Sequence, residues 1–301
     1  MKRDLSLLSV LPVLAVFAFT VPSGRSATLV LHWALDDGIA NPAGTLAVDD
    51  GQDVLTPGAD PAGVRDGGFV NFGSSAILPL WETSGGVNGG GYLRFNGSAD
   101  ATTGYAMRFS ESDGSLPSGP AYTISVWFRI DGNGTTGDMG GLLGGLFSTA
   151  NNRYFEVNAW YSLDGGTSAS EVVSATNRGT GFATAASAAT PGWFDGSWHH
   201  AAAVFSSTSF RSLYVDGTLV ASSTTLASAA VDPVRFSIGA LDRPATADFF
   251  SGDLDEVSLY RGALTDLEIA ALYAAAVPEP TTGAFLLAAA LFSGRRRRDR
   301  R

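Results

Sequence analysis

From Thr28 to Tyr260 the chain repeats one pattern: short runs of β-branched and aromatic residues, each closed by Gly, Asp, Asn or Pro. The runs Thr28 to Leu35, Tyr92 to Phe95, Tyr122 to Ile130, Tyr154 to Trp160, Trp198 to Phe205, Ser212 to Val215, Leu219 to Ser222, Arg235 to Ile238 and Asp255 to Tyr260 all read as strands. With 37 glycines in 301 residues, turns are frequent enough to punctuate a real core. Within Tyr122 to Ile130, Tyr122, Ile124, Val126 and Phe128 alternate with Thr123, Ser125, Trp127 and Arg129, so one face is mostly polar. Asp216-Gly217 between two such runs predicts a type I′ hairpin, because both central residues of that turn need positive φ.

Helical periodicity is convincing once, from Leu264 to Tyr273. Thr265 and Glu268 have capping-box spacing, and Leu264 with Ile269 forms a hydrophobic staple across it. Residues 38–90 are dense in Gly, Asp and Pro and predict long loops with one or two edge strands. Neither an internal repeat nor a second domain is evident, so one large all-β domain with a short helix near its end accounts for the body. The chain has no cysteine, which excludes disulfides, thiolate metal sites and thiol nucleophiles. A net charge of −10 argues against nucleic acid as a partner.

Both ends read as addresses. Lys2 and Arg3 precede an apolar run from Leu5 to Val21, followed by the small residues Ser23, Gly24, Ser26 and Ala27. That order is a secretory signal peptide over residues 1–27, to be removed by signal peptidase. The run holds Pro12 and falls short of the ~20 residues that span a bilayer comfortably. At the other end, Pro278, Glu279 and Pro280 lead into an apolar stretch from Thr281 to Ser293 and then Arg295 to Arg298, Arg300 and Arg301. Residues 277–301 resemble the PEP-CTERM sorting signal of Gram-negative bacteria. The resemblance implies recognition by an exosortase-type membrane protease, transient retention in the inner membrane, and release to the cell surface or extracellular matrix. The arginines would hold the tail on the cytoplasmic side.

Without these ends, ten basic residues stand against 26 acidic ones over residues 28–277, a net of −16, and no lysine remains. Such a surface stays soluble, repels polyanions and attracts divalent cations.

In the body itself, Leu31 to Asp36, Tyr92 to Gly97, Tyr122 to Trp127, Trp198 to Ala202, Leu213 to Gly217, and Ile238-Gly239 followed by Phe250 to Tyr260 and Ala263 to Thr265 form an ordered set of pieces. In that order they make residues 28–276 resemble the LamG-like jelly-roll family of the concanavalin A-like lectin/glucanase superfamily. The resemblance implies two large antiparallel sheets packed face to face. It also implies a structural calcium at a sandwich edge, for which Asp36, Asp37 and Asp255 are the candidate ligands, since calcium takes oxygen donors of the kind acidic loops supply.

Catalysis is not expected. Laminarinase-like relatives carry Glu-x-Asp-x-x-Glu on one strand; here Asp253 and Asp255 match the first two positions, and Ser258 stands where the last acid belongs. His32, His199 and His200, the only histidines, sit beside tryptophans in strand runs and read as packed or hydrogen-bonded. For sugar binding, exposed aromatics would serve as platforms. Trp33, Trp127 and Trp198 occupy fold-signature positions and are assigned to packing. Trp81, Trp160, Tyr161, Trp193, Phe249 and Phe250 lie in or beside Gly-rich loops, and Trp160, Tyr161 and Trp193 are the ligand candidates. The expectation is an exported, non-enzymatic surface or matrix protein that binds polysaccharide or mediates adhesion. A purely structural role and a glycosidase with unrecognised carboxylates are the alternatives.

Overall fold

The computed structural model describes residues 27–35, 68–72, 79–96, 104–109, 121–130, 139–148, 153–163, 169–178, 182–186, 192–207, 210–224, 235–242 and 249–276. Fifteen strands and one helix lie among them: β1 Thr28–Trp33, β2 Gly68–Phe72, β3 Leu80–Glu82, β4 Tyr92–Asn96, β5 Gly104–Phe109, β6 Tyr122–Arg129, β7 Met139–Ser148, β8 Arg153–Leu163, β9 Ala169–Arg178, β10 Phe182–Ala186, β11 His199–Phe205, β12 Arg211–Val215, β13 Thr218–Ser223, β14 Arg235–Ile238, β15 Ser251–Arg261 and α1 Asp266–Ala276. Eight strands form one sheet in the order β13-β12-β11-β6-β15-β4-β3, with β1 also paired to β15. Seven form the other, β10-β9-β8-β7-β14-β5-β2. The recorded pairings are antiparallel throughout, as a jelly-roll sandwich requires.

Alternation sends one side chain in two into the gap between the sheets. From β6 come Tyr122, Ile124, Val126 and Phe128, and from β15 Leu254, Val257 and Leu259. Phe155 and Val157 of β8, Val173 of β9 and Phe236 of β14 answer from the facing sheet. The layers are joined by rings: Tyr122 and Phe155 lie 4.3 Å apart and Phe155 and Phe205 5.6 Å between centroids, while Phe236 packs edge to face on Phe155 within the seven-stranded sheet at 5.4 Å. Each such ring contributes about 1.5–3 kcal/mol by leaving water.

The stretch read as loops does hold two edge strands, one ending each sheet, β2 and β3. Phe69 of β2 meets Trp81 of β3 edge to face at 6.3 Å, so the two layers also touch along this margin. The Asp216-Gly217 turn has φ of +49° and +72°, as the hairpin demands. In the capping box, Glu268 Oε2 accepts from Thr265 N at 2.8 Å, and Glu268 N donates back to Thr265 Oγ1 at 3.3 Å.

The polar face of β6 is not solvated. Thr123 and Ser125 are buried along with Trp127, because the segment around α1 folds back across the outer side of the eight-stranded sheet. Thr123 Oγ1 donates to Gly262 O at 3.0 Å and accepts from Leu264 N at 3.0 Å. Ile269 packs with Ala202, Val204, Tyr214 and Leu264, and Tyr273 stacks on Trp127 at 5.5 Å with planes 13° apart. Tyr214 OH ties the helix start down by donating to Asp266 Oδ1 at 2.6 Å.

Candidate functional site

Between α1 and the outer face of the eight-stranded sheet lies a cavity of about 360 Å³. Two irregularities in the strands aim polar side chains into it. A bulge in β1 between Leu29 and Leu31 puts His32 opposite Ser258, and a bulge in β15 between Asp255 and Ser258 puts Ser258 opposite Ser125. The extra residue in β15 is Glu256, whose φ of +49° is unusual for a residue with a Cβ. Its carboxylate is doubly engaged: His32 Nε2 donates to Oε2 at 2.8 Å, and Asn88 Nδ2 donates to Oε1 at 2.8 Å.

Asn88 belongs to the loop from Ser84 to Gly91, which is pinned at several points. Asp255 Oδ2 accepts from Val87 N at 2.8 Å, while Asp255 Oδ1 accepts from Glu256 N at 2.9 Å. Trp198 Nε1 donates to Gly85 O at 2.9 Å. At Gly86 a Cβ would stand 2.1 Å from Gly91 O and 2.7 Å from Asp255 Oδ2, so only glycine lets the loop close on itself there.

The cavity floor is polar. Ser125 Oγ and His200 Nε2 share a hydrogen bond of 2.7 Å, and the His200 ring lies 5.3 Å from that of Trp127. His200 is 1 % exposed, and burial pushes its imidazole down to about 4, so the ring is neutral at pH 7. Its Nδ1 is buried with no hydrogen-bond partner among the described residues. The neighbouring His199 behaves oppositely. Burial pulls it down, yet its hydrogen bond to Asp216 at 2.8 Å and the charges of Asp216 and Asp195 outweigh that and raise it.

The carboxylates tested for catalysis are committed elsewhere. Asp253 accepts from Arg94 Nε and from Arg129 Nε, each at 2.8 Å, and the Arg129 guanidinium lies over the rings of Tyr92 and Trp198 at 4.7 and 4.6 Å. Asp255 holds backbone N–H groups, and Ser258 occupies the third position on the same face.

The expected site residues are dispersed. Trp193 is 8 % exposed and packs into the main core; its loop is fixed by Glu171 Oε2, which accepts from the backbone N–H groups of Gly192, Trp193 and Phe194. It is an anchor, and the exposed platform expected there is absent. Trp81, Phe249 and Phe250 are buried as well. Trp160 and Tyr161 lie in β8, and their side chains fall outside the described residues. Asp36, Asp37, Pro278, Glu279 and Pro280 also fall outside them. Asp255 has each carboxylate oxygen bonded to a backbone N–H, and the described residues contain no group of three or more ligating side chains, so they do not assemble a calcium site around it. Trp127, assigned to packing from its position, is packed under Tyr273 and lines the cavity together with Tyr260. Its partners there, His32, His200 and Glu256, converge through bulges and a covering helix that strand periodicity does not encode.

Such an arrangement, a two-layered antiparallel sandwich with an aromatic and polar recess on one outer face, defines a lectin-like jelly roll. A family profile described as the concanavalin A-like lectin/glucanases superfamily matches residues 100–270, more than half of the chain, and the chain belongs to that superfamily. No curated protein matches it in sequence. Among solved structures it is similar to domain 4 of AbnA, a GH43 extracellular arabinanase from Geobacillus stearothermophilus, in complex with arabinotriose. That likeness has a TM-score of 0.52 and 17% identity, over 83% of this chain and 100% of that one. It is also similar to the botulinum neurotoxin serotype G binding domain, with a TM-score of 0.52 and 11% identity, over 82% of this chain and 50% of that one. At these identities the likeness is one of fold.

Proposed function

We propose that this chain is an exported, non-enzymatic protein that binds carbohydrate at the cell surface or in the extracellular matrix of a Gram-negative bacterium. The observation that carries the reading is the cavity under α1. Tyr260, half-buried, offers ring surface there beside Leu29, Ser125, Ser258, the edge of the Trp127–Tyr273 stack and the His32–Glu256 pair, which is the mixture of apolar wall and few polar groups that sugar sites use. Superfamily membership agrees with it, and the solved domain holding arabinotriose is an analogy of fold in the same direction. Commitment of Asp253 to two arginines and of Asp255 to the backbone supports the non-enzymatic side. Sorting by an exosortase-type protease rests on Pro278, Glu279, Pro280 and the arginine tail.

A glycan array probed with the full-length chain, with and without millimolar Ca²⁺, is expected to give binding to a restricted set of polysaccharides. A blank array in both conditions favours a structural role, and reducing sugar released from a polysaccharide panel would make it a hydrolase. Binding that needs Ca²⁺ would restore the calcium expectation. For sorting, changing Pro278 and Glu279 to Ala should leave the product in the membrane fraction, and unaltered release would remove the exosortase from the account.

A further inference from the structure

Ala27, which the sequence places at the end of the leader, is part of the fold. It is half-buried and packs against the cluster of Ala202, Val204, Tyr214, Leu264 and Ile269. Thr28 follows it directly into β1, opposite Arg261 of β15. Against Ala27 stands Gly262, whose φ is +105°. A Cβ on Gly262 would lie 3.1 Å from Ala27 Cα and 3.3 Å from Ala27 Cβ, so the two backbones meet there with no side chain between them. Gly262 is itself fixed: its N–H donates to Ala121 O at 3.0 Å, and its carbonyl accepts from Thr123 Oγ1 at 3.0 Å. Ala27 therefore closes the margin of the eight-stranded sheet where β1, β15 and the start of β6 come together.

A residue packed in this way belongs to the domain, which moves the end of the leader upstream of the Ala27–Thr28 bond. The cleavage site of a signal peptide needs small side chains at the first and third positions before the cut. Gly24, Arg25 and Ser26 lie outside the described residues, so only their chemistry counts. Cutting after Ala27 or after Arg25 puts the long, charged Arg25 at one of the two positions. Cutting after Gly24 puts Pro22 at the third position, and cutting after Ser23 puts the branched Val21 there. Between Ser26 and Ala27 both positions are small, Ser26 and Gly24. The protease's demand on the residues before the cut and the fold's demand on the residue after it meet at that bond.

We infer that signal peptidase hydrolyses the Ser26–Ala27 peptide bond, so that the exported chain begins at Ala27 with no residue to spare before β1. Water is the co-reactant: Ser26 leaves with the new carboxylate, and Ala27 keeps the new α-amino group. A chain that starts there retains the packing of Ala27 on Gly262, loses Arg25 and carries its ammonium at the margin of the sheet. This rests on the reading of the chain as exported and adds to it the bond that is cut.

The test produces the full-length chain in a Gram-negative host, fractionates the cells, and reads the N-terminus of the product in the envelope and in the medium by Edman degradation. The expected sequence is Ala-Thr-Leu-Val-Leu. Ser26→Tyr should abolish that start, because a bulky ring just before the cut is refused, whereas Ser23→Tyr should leave it unchanged. Deleting Ala27 keeps Ser26 and Gly24 before the cut, so that product should begin at Thr28 and melt below the parent. A parent chain that starts at Thr28, at Gly24 or at any other internal residue overturns the inference while export stands. So does an Ala27 start that survives Ser26→Tyr, or a product without Ala27 that melts with the parent. A chain that keeps Met1 overturns it as well: recovered from the envelope, it leaves export standing; recovered only from the cytosol, it removes that reading too.

Discussion

At the scale of single residues, adjacent histidines on one strand have been given opposite titration behaviour by which face each one takes. His200 points to the covered outer face and meets Ser125, Trp127 and Tyr273; His199 reaches Asp216 and Asp195. With His200 down at about 4 when folded against 6.5 unfolded, the unfolded chain binds the extra proton between those values. Its contribution is therefore present above pH 6.5 and lost as pH falls toward 4, by about 3 kcal/mol at most. His199, raised by Asp216 and Asp195 against burial, acts with the other sign: its stabilisation is full below 6.5 and fades as pH rises through its folded value. A thermal melt across pH 4–8 should show His200→Asn with a shallower acid limb than the parent, the gap closing toward pH 4. Parallel curves would mean that His200 is solvated. The sequence made all three histidines packed or hydrogen-bonded groups, which fits their bonds to Glu256, Asp216 and Ser125. That His32 and His200 share a cavity was out of reach, because it depends on bulges at Leu29/Leu31 and Asp255/Ser258 that shift side chains by one position and leave no compositional mark.

At the scale of elements, the strands that were legible are those whose own residues favour extension, and the ones missed are made by their neighbours. β7, MGGLLGGLFS, sits between β8 and β14, and β9, ASEVVSATNR, between β8 and β10. Glycine, alanine and serine give little strand propensity, so these segments are held extended by pairing on both sides. β10, FATAA, was missed for the same reason, whereas β5, GYAMRF, does alternate through Tyr105, Met107 and Phe109 and was missed for its shortness. The helix was legible because capping chemistry is local. Its function as a cover was not, since that needs the partly polar face of β6 to be seen as a docking surface. Thr265→Ala removes one side of the capping box and should lower stability by about 1 kcal/mol, read as a shift in the urea midpoint at constant slope. If the helix also walls the ligand cavity, the same variant should weaken the bound sugar while leaving the sandwich strands protected in hydrogen exchange. Loss of protection throughout β6 and β15 would instead make α1 part of one cooperative unit with the sheet.

At the scale of the whole molecule, the body carries its charge in one sign: 26 acidic against ten basic residues between 28 and 277. Several of the arginines are already spent on fixed pairs, Arg94 and Arg129 with Asp253 and Arg108 with Asp242, so the surface is left with carboxylates that repel one another. Screening those charges should stabilise the fold. Raising NaCl so that the Debye length falls from about 30 Å at 0.01 M to well under 10 Å should raise the melting temperature smoothly, with no dependence on which monovalent salt is used. CaCl₂ at matched ionic strength then separates a general field from a site. A bound ion present at about 100 times its Kd adds roughly 2.7 kcal/mol, which for a domain of this size is about 5–10 °C beyond the NaCl curve. A rise of that size that saturates would show that carboxylates outside the described residues, Asp36 and Asp37 first among them, complete a calcium site. Coincident curves would leave the acidic surface as a solubility and repulsion device. A flat response to NaCl would mean that the carboxylates are too dispersed for their repulsion to reach the folding equilibrium at all.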